Sequence, residues 1–427
     1  MNKMNPTAAM VRATDQAVGV WGGTRIVCAG SLRPSARRYS TRAALQASCP
    51  LTADCAPHGA ASGCQRCARA AVSFGEFLSM SSPQAAYTRH MATAASEISN
   101  TATVTPIGTG RPWLSRMPPG LFAIPFGLLG LAGAWRRMAA FRIEATDLVA
   151  SFLLAVATGV LELLLILWIV KCVRFRDDVR RDFAHPVQGA MLSLVPLTIL
   201  LAVSLWLPQW PHYRSLAVWL VSGALAAQAV VVWRVVSRVA TGDLPADMVT
   251  PALYLPPVGG GLIGALALAS LGAHGWAVLV FGMGLAAWWL LEARVLNRLF
   301  VGPLPPPLRA TLGVELAPAP VATLAALTLW PTLHADVVLL ALGVACGPLI
   351  AVLARWQWWA NMPFSAAHWS FSFPVAALAS VIVEAVRRGG WPSQVAWVAV
   401  LMATSVIAYL GIRSVLLLFR GRLIPPG

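Results

Sequence analysis

Charged side chains are scarce in this sequence. They make up 11% of its 427 residues, against about 25% in ordinary soluble domains, while 58% are hydrophobic and the mean hydropathy is +0.69. That balance argues against a water-soluble fold. Polar stretches are also missing between Gly120 and Phe419, where apolar runs follow one another almost without pause. The division this implies is an amino-terminal extension, residues 1–110, and a membrane domain, residues 111–427. Signatures of catalysis are absent too. The seven histidines are scattered, none in a metal-binding pair at helical spacing, and there is no nucleophile elbow, Walker loop or zinc motif. Gly259–Gly261, and Gly282 with Gly284, lack the strand, the lysine and the helix start of a phosphate cradle and read as packing. Nothing points to an enzyme, a metal or another cofactor.

Residues 1–110 are rich in Ala, Ser, Thr and Arg and poor in acid, with no sustained period of 3.6 or 2. Such a segment is expected to be disordered. It has no apolar signal-peptide core near Met1, and its transit-peptide character lacks an amphipathic helix. Cys49, Cys55, His58, Cys64 and Cys67 include one C-x-x-C, but no second close pair completes a zinc spacing, and chance clustering is the expectation. With Cys28 in the same segment and Cys172 and Cys346 in apolar runs, no disulfide framework is implied. Met91 opens a short polar stretch before the membrane domain and is an alternative start.

A membrane crossing takes about 20 apolar residues. The candidate spans are Gly120–Trp135, Leu148–Val170, Val187–Leu207, Leu216–Val236, Leu253–Leu271, Trp276–Leu296, Leu312–Trp330, Val337–Leu353, Phe371–Val386 and Val395–Phe419. This predicts an all-α integral membrane protein of ten helices in five hairpins. Proline falls in or at the mouth of every odd helix: Pro119 and Pro125, Pro196, Pro256 and Pro257, Pro318 and Pro320, then Pro374. Even helices contain only Pro348. Proline removes a backbone donor and kinks a helix, and the freed carbonyls are tolerated at membrane depth where protein or a water-filled cavity satisfies them. The odd helices are therefore expected to surround a central path. Glycines at 120, 127, 130 and 133 and at 259–261 and 264 add close packing.

The formal charge of +16 reflects topology rather than a nucleic-acid partner. Loops 2–3, 4–5, 6–7 and 8–9 carry eleven Lys and Arg, against six in the other five loops. Arginine and lysine mark cytoplasmic loops, which places both termini in the cytoplasm. Ionisable groups at bilayer depth mark functional sites or buried pairs. Glu292 is expected to pair with Arg294 and Arg298, and Glu384 with Arg387 and Arg388. Glu315, between Gly313 and Pro318 with no basic residue nearer in sequence than Arg309, is the acid best placed for permeation; Glu162 lies mid-span in an outer helix.

Five strings occur in order at the odd helices: Pro118 to Trp135 (PPGLFAIPFGLLGLAGAW), His185-Pro-Val, Tyr254-Leu-Pro, Leu308-Arg-Ala-Thr-Leu-Gly with Leu316-Ala-Pro-Ala, and Trp369-Ser-Phe-Ser-Phe373. In these the chain, over about residues 112–420, resembles the tellurite-resistance and dicarboxylate transporter family, which includes bacterial TehA, fungal malate permease and the plant slow-type anion channels. The resemblance implies five hairpins with proline-kinked odd helices around a pore in each subunit, a homotrimer, small anions as the passing species and a link to tellurite resistance. It also implies that Phe373 occludes the pore, with Phe122 of the first-helix motif as a further pore-lining candidate; the proline rhythm and the intramembrane acid read above add Pro125, Pro196, Pro256, Glu315, Pro318 and Pro374. Pro374 stands where the family pattern has glycine. The reading is an anion channel or facilitator of the cytoplasmic membrane. The alternatives are a proton-coupled transporter of dicarboxylate or sulfite-type anions using Glu315, and a non-transporting membrane sensor or scaffold whose arm binds a partner.

Overall fold

In the computed structural model, residues 112–141 and 144–424 are described, and among them there is no strand. The disorder and zinc-site expectations for residues 1–110 lie outside the described residues. Ten principal helices follow the chain: α1 (Ala123–Met138), α2 (Glu144–Arg174), α3 (Leu194–Trp206), α4 (Arg214–Ala240), α5 (Gly260–Ser270), α6 (His274–Val301), α7 (Pro318–Leu329), α8 (Ala335–Ala354), α9 (Ser372–Gly389) and α10 (Ser393–Phe419). Nine helical segments of the described residues are long and apolar enough to cross a membrane. The first of the expected ten is shorter: α1 has 16 residues and is prolonged by the 3-10 turn Pro119–Phe122.

The proline rhythm becomes a difference in helix construction. Every odd helix has two parts. Before α1 stands Pro119–Phe122, before α3 the short helix Pro186–Met191, and before α5 a 3-10 turn (Pro251–Tyr254) followed by a π turn (Leu255–Gly259). A 3-10 segment, Pro306–Leu316, leads into α7, and another, Ala366–Phe371, into α9. Proline near the start of an α segment has no N–H for the carbonyl four residues back, which interrupts the regular hydrogen-bond ladder at that point. The even helices run 20 to 31 residues, each as one continuous α-helix.

Burial separates the same two classes. In the odd spans from the third onward 72–83% of the apolar window is buried within the chain, against 17–28% in the even spans. The odd helices touch in cyclic order, α1 to α3, α5, α7, α9 and back to α1, and the even helices pack outside them. Leucines and tryptophans on the even helices, such as Trp219, Trp233 and Trp289, are left to face lipid.

Glycine closes the ring at its tightest crossing. A β-carbon at Gly127 would collide with the Ser372 hydroxyl, and one at Gly130 would come within 2.8 Å of the Phe373 ring. Gly261 and Gly284 meet in the same way between α5 and α6, so of the glycines read from sequence as packing these two are at a close crossing, whereas Gly282 has open space beside it. At one rim buried Lys171 fastens three segments, donating to the Met117 carbonyl at 2.7 Å and pairing with Asp182 at 2.6 Å.

Candidate functional site: an apolar lumen lined by the odd helices

The five odd helices enclose one cavity of about 70 Å3, and each contributes to its wall. Ala123 and Phe126 come from the first, Leu194 and Leu197 from the third, Tyr254, Val258 and Leu262 from the fifth, Val314, Pro318 and Val321 from the seventh, and Trp369, Phe373 and Pro374 from the ninth. A site for one water needs roughly 10–15 Å3 of such space, so the cavity holds only a short file of small species.

Of the residues singled out from sequence, Phe373, Pro318 and Pro374 stand in the wall. Phe122, Pro125, Pro196, Pro256 and Glu315 do not. Phe122 is fully buried behind the wall, edge-on to Trp168 with ring centroids 6.1 Å apart. The aromatic that α1 does place in the lumen is Phe126, whose ring lies 3.9 Å from that of Phe373, tilted by 31°. Two rings from adjacent helices thus meet in the wall of the cavity. Phe126 is one turn beyond Phe122, and the 3-10 turn before α1 alters the rotation per residue, so sequence phase alone did not choose between them. Phe371 faces elsewhere, against Trp359 at 4.9 Å and beside Gly313.

No charged side chain is in the wall. Its polar side chains are engaged outward. Tyr254 donates its hydroxyl to Glu292 at 2.8 Å, Trp369 donates its indole N–H to Ser414 at 2.7 Å, and the Ser370 hydroxyl donates to the Ala310 carbonyl. Burying a polar group without a partner costs free energy, and these bonds let the wall be apolar without leaving such groups unmet. Behind the π turn, Gln228 of α4 donates its amide to the Pro256 carbonyl at 2.8 Å, in space left by Gly260. Gln228 is 3% exposed and was not singled out from sequence; a lone Gln in an otherwise apolar outer helix was the available signal.

Two expectations about acids are corrected. Glu315 is not isolated, because Arg355, forty residues on at the end of α8, places its guanidinium 3.1 and 3.2 Å from the two carboxyl oxygens. The Glu315 side chain is 1% exposed and that of Arg355 13%, so this is a buried ion pair behind the wall. Sequence distance hid it, since the two meet only through the hairpin. Glu292 does not pair with Arg294 or Arg298; it accepts from Tyr254 and, at 2.9 Å, from the indole N–H of Trp288. Glu384 does bind Arg387 and Arg388, with Arg137 of α1 added at 3.7 Å. Glu162 is exposed on the outer face of α2, in a groove beside Trp206 and Trp210 and away from the lumen.

Residues 116–417 match the model of the SLAC1 family, described as voltage-dependent anion channel. The chain belongs to that family. It is also similar to a tellurite resistance protein TehA homolog of Haemophilus influenzae, 30% identical over 272 residues, covering 62% of this chain and 80% of the relative. An S-type anion channel SLAH2 of Arabidopsis thaliana is 24% identical over 291 residues, covering 64% of this chain and 53% of the plant protein, about half its length. The family match spans α1 to α9 and α10 up to Leu417, so the five-sided lumen lies wholly within it. This is a multi-pass membrane protein of an anion channel and transporter family.

Proposed function

We propose that the chain is an anion channel or facilitator that passes small monovalent anions down their gradient, and that it is a transport protein rather than an enzyme. The observation that carries this reading is the cavity formed where the α segments of all five odd helices begin. The amino-terminal end of a helix bears partial positive charge, and broken membrane helices direct such ends at anionic groups. An ion there meets favourable dipoles and no fixed charge to hold it, a balance that lets it enter and leave. The apolar wall supplies little to replace a hydration shell, so ions that shed water readily pass best. Phe373, stacked on Phe126, closes the path.

The protein works as a homotrimer in the cytoplasmic membrane, each subunit with its own pore and both termini in the cytoplasm. Membership of the SLAC1 family and the arginine bias of the loops support this arrangement. The similarity to a tellurite resistance protein makes an oxyanion of that kind one species to test. Reconstitution in planar bilayers decides between channel and coupled carrier: the channel gives ohmic current that reverses at the anion's Nernst potential. Electrically silent uptake driven by a pH gradient would instead establish a proton-coupled carrier.

A further inference from the structure

At the end of α4 that carries Arg234 and Arg238, a small hollow opens between this helix and the segment around Phe183 and His185. Arg234 lies over the Phe183 ring with its guanidinium carbon 5.2 Å from the centroid, and its Nε is buried without a hydrogen-bond partner. Arg238, one turn further along, donates to the Ala184 carbonyl at 2.7 Å. His185 uses Nδ1 to accept from the amides of Val187 and Gln188, leaving the other side of its ring open. Among the described residues neither arginine has a carboxylate partner. Asp182, beside Phe183, pairs with Lys171, Asp243 accepts from the Thr241 hydroxyl, and exposed Asp247 makes no ion pair with either arginine among the described residues. An adjoining hollow, sharing Val239, Leu244 and Leu253, brings Arg294 of α6 to the same rim.

We propose that this rim binds the phosphate of an acidic phospholipid. Two arginines one turn apart present planar donor forks, which suit a phosphate better than ammonium groups do. The same stretch of α4 faces outward with Val230 59%, Trp233 78% and Val236 46% exposed, an apolar surface for acyl chains directly beside the headgroup position. Basic pockets between membrane helices at the interface take anionic headgroups in this manner. A free inorganic phosphate would use the same forks and gain nothing from the apolar strip. The site lies outside the lumen and links the ends of α4 and α6 to the short segment before α3, so an occupied site ties the α3–α4 hairpin to the α5–α6 hairpin.

The test uses the full-length protein purified in a neutral detergent, with phosphatidylglycerol, phosphatidylcholine or inorganic phosphate added at equal concentration. Lipid retained per chain is read by native mass spectrometry and the unfolding midpoint by thermal melt. Phosphatidylglycerol should be retained and raise the midpoint, with the other two doing neither. The R234Q/R238Q variant should bind it roughly tenfold or more weakly, given that each basic residue at an anionic surface contributes a factor of about five. R420Q/R422Q removes the same formal charge from the exposed end of the chain and should behave as the unmodified protein. If R234Q/R238Q does not fold, R238Q alone is read, with a smaller loss expected. An unchanged phosphatidylglycerol effect in the folded variant, an equal loss in R420Q/R422Q, or the same stabilisation by inorganic phosphate would overturn the proposal.

Discussion

At the scale of single residues, two phenylalanines two positions apart have different surroundings. Phe373 stacks on Phe126 in the lumen, whereas Phe371 packs on Trp359 behind it. On the proposed mechanism, truncating Phe373 to Ala should raise basal anion efflux from liposomes severalfold, because it removes the ring assigned to block hydrated ions. Phe126→Ala should raise efflux as well, since a single ring no longer fills the aperture that two fill. Phe371→Ala should leave efflux per folded molecule unchanged and lower stability by about 3 kcal/mol through the void it creates. Greater opening by Phe371→Ala than by Phe373→Ala would reverse these roles. The Glu315–Arg355 pair gives a second test, because breaking a buried pair leaves one charge uncompensated, which costs about 3–5 kcal/mol. Glu315→Gln should therefore destabilise strongly, and adding Arg355→Gln should recover much of that loss. A Glu315→Gln protein of full stability whose flux loses its pH dependence would instead revive the proton-site reading.

Among elements, the legible and the illegible parts divide by range. Proline acts on its own helix through a missing N–H, so the two-part build of the odd helices and their inward position could be read from Pro125, Pro196, Pro256, Pro318 and Pro374. Which face each helix turns inward could not, because 3-10 and π turns shift the phase by an amount composition does not encode. Three of those five prolines consequently lie outside the wall. Contacts distant in sequence, such as Gln228 with the π turn of the next hairpin or Arg355 with Glu315 across one hairpin, depend on the assembled fold and were equally hidden. The α1–α9 crossing offers a prediction at this scale. A methyl at Gly130 meets the Phe373 ring at 2.8 Å and the Ala376 β-carbon at 3.2 Å, so one of them must move. Gly130→Ala should change anion efflux in the unmodified protein by displacing that ring, and should have little effect on efflux in a Phe373→Ala background. Equal effects in both backgrounds would mean that the glycine serves helix packing alone.

For the whole molecule, orientation follows from how charge is shared between the two rims. Lys171, Arg180, Arg181, Arg234, Arg238, Arg309 and Arg355 belong to the even-to-odd connections, which carry eleven basic residues, while the odd-to-even connections carry six. Many in the first group are held in place by the fold: Lys171 on Asp182, Arg238 on the Ala184 carbonyl, and Arg355 on Glu315. Opposite them, Arg137, Arg387 and Arg388 gather round Glu384, which offsets part of their charge. Short loops rich in Arg and Lys are retained in the cytoplasm. A tag inserted after Arg181 and one appended at Gly427 should therefore be shielded from a membrane-impermeant reagent applied to intact cells, and a tag between Pro208 and Arg214 should be labelled. The ten-helix path requires the sites after Arg181 and at Pro208 to lie on opposite sides, because one span, Pro186–Trp206, separates them. Labelling of both from outside would refute that path. Labelling after Arg181 but not at Pro208 would keep the path and invert the molecule, leaving the lumen and its plug intact but placing the rim of Arg234 and Arg238 on the outer leaflet.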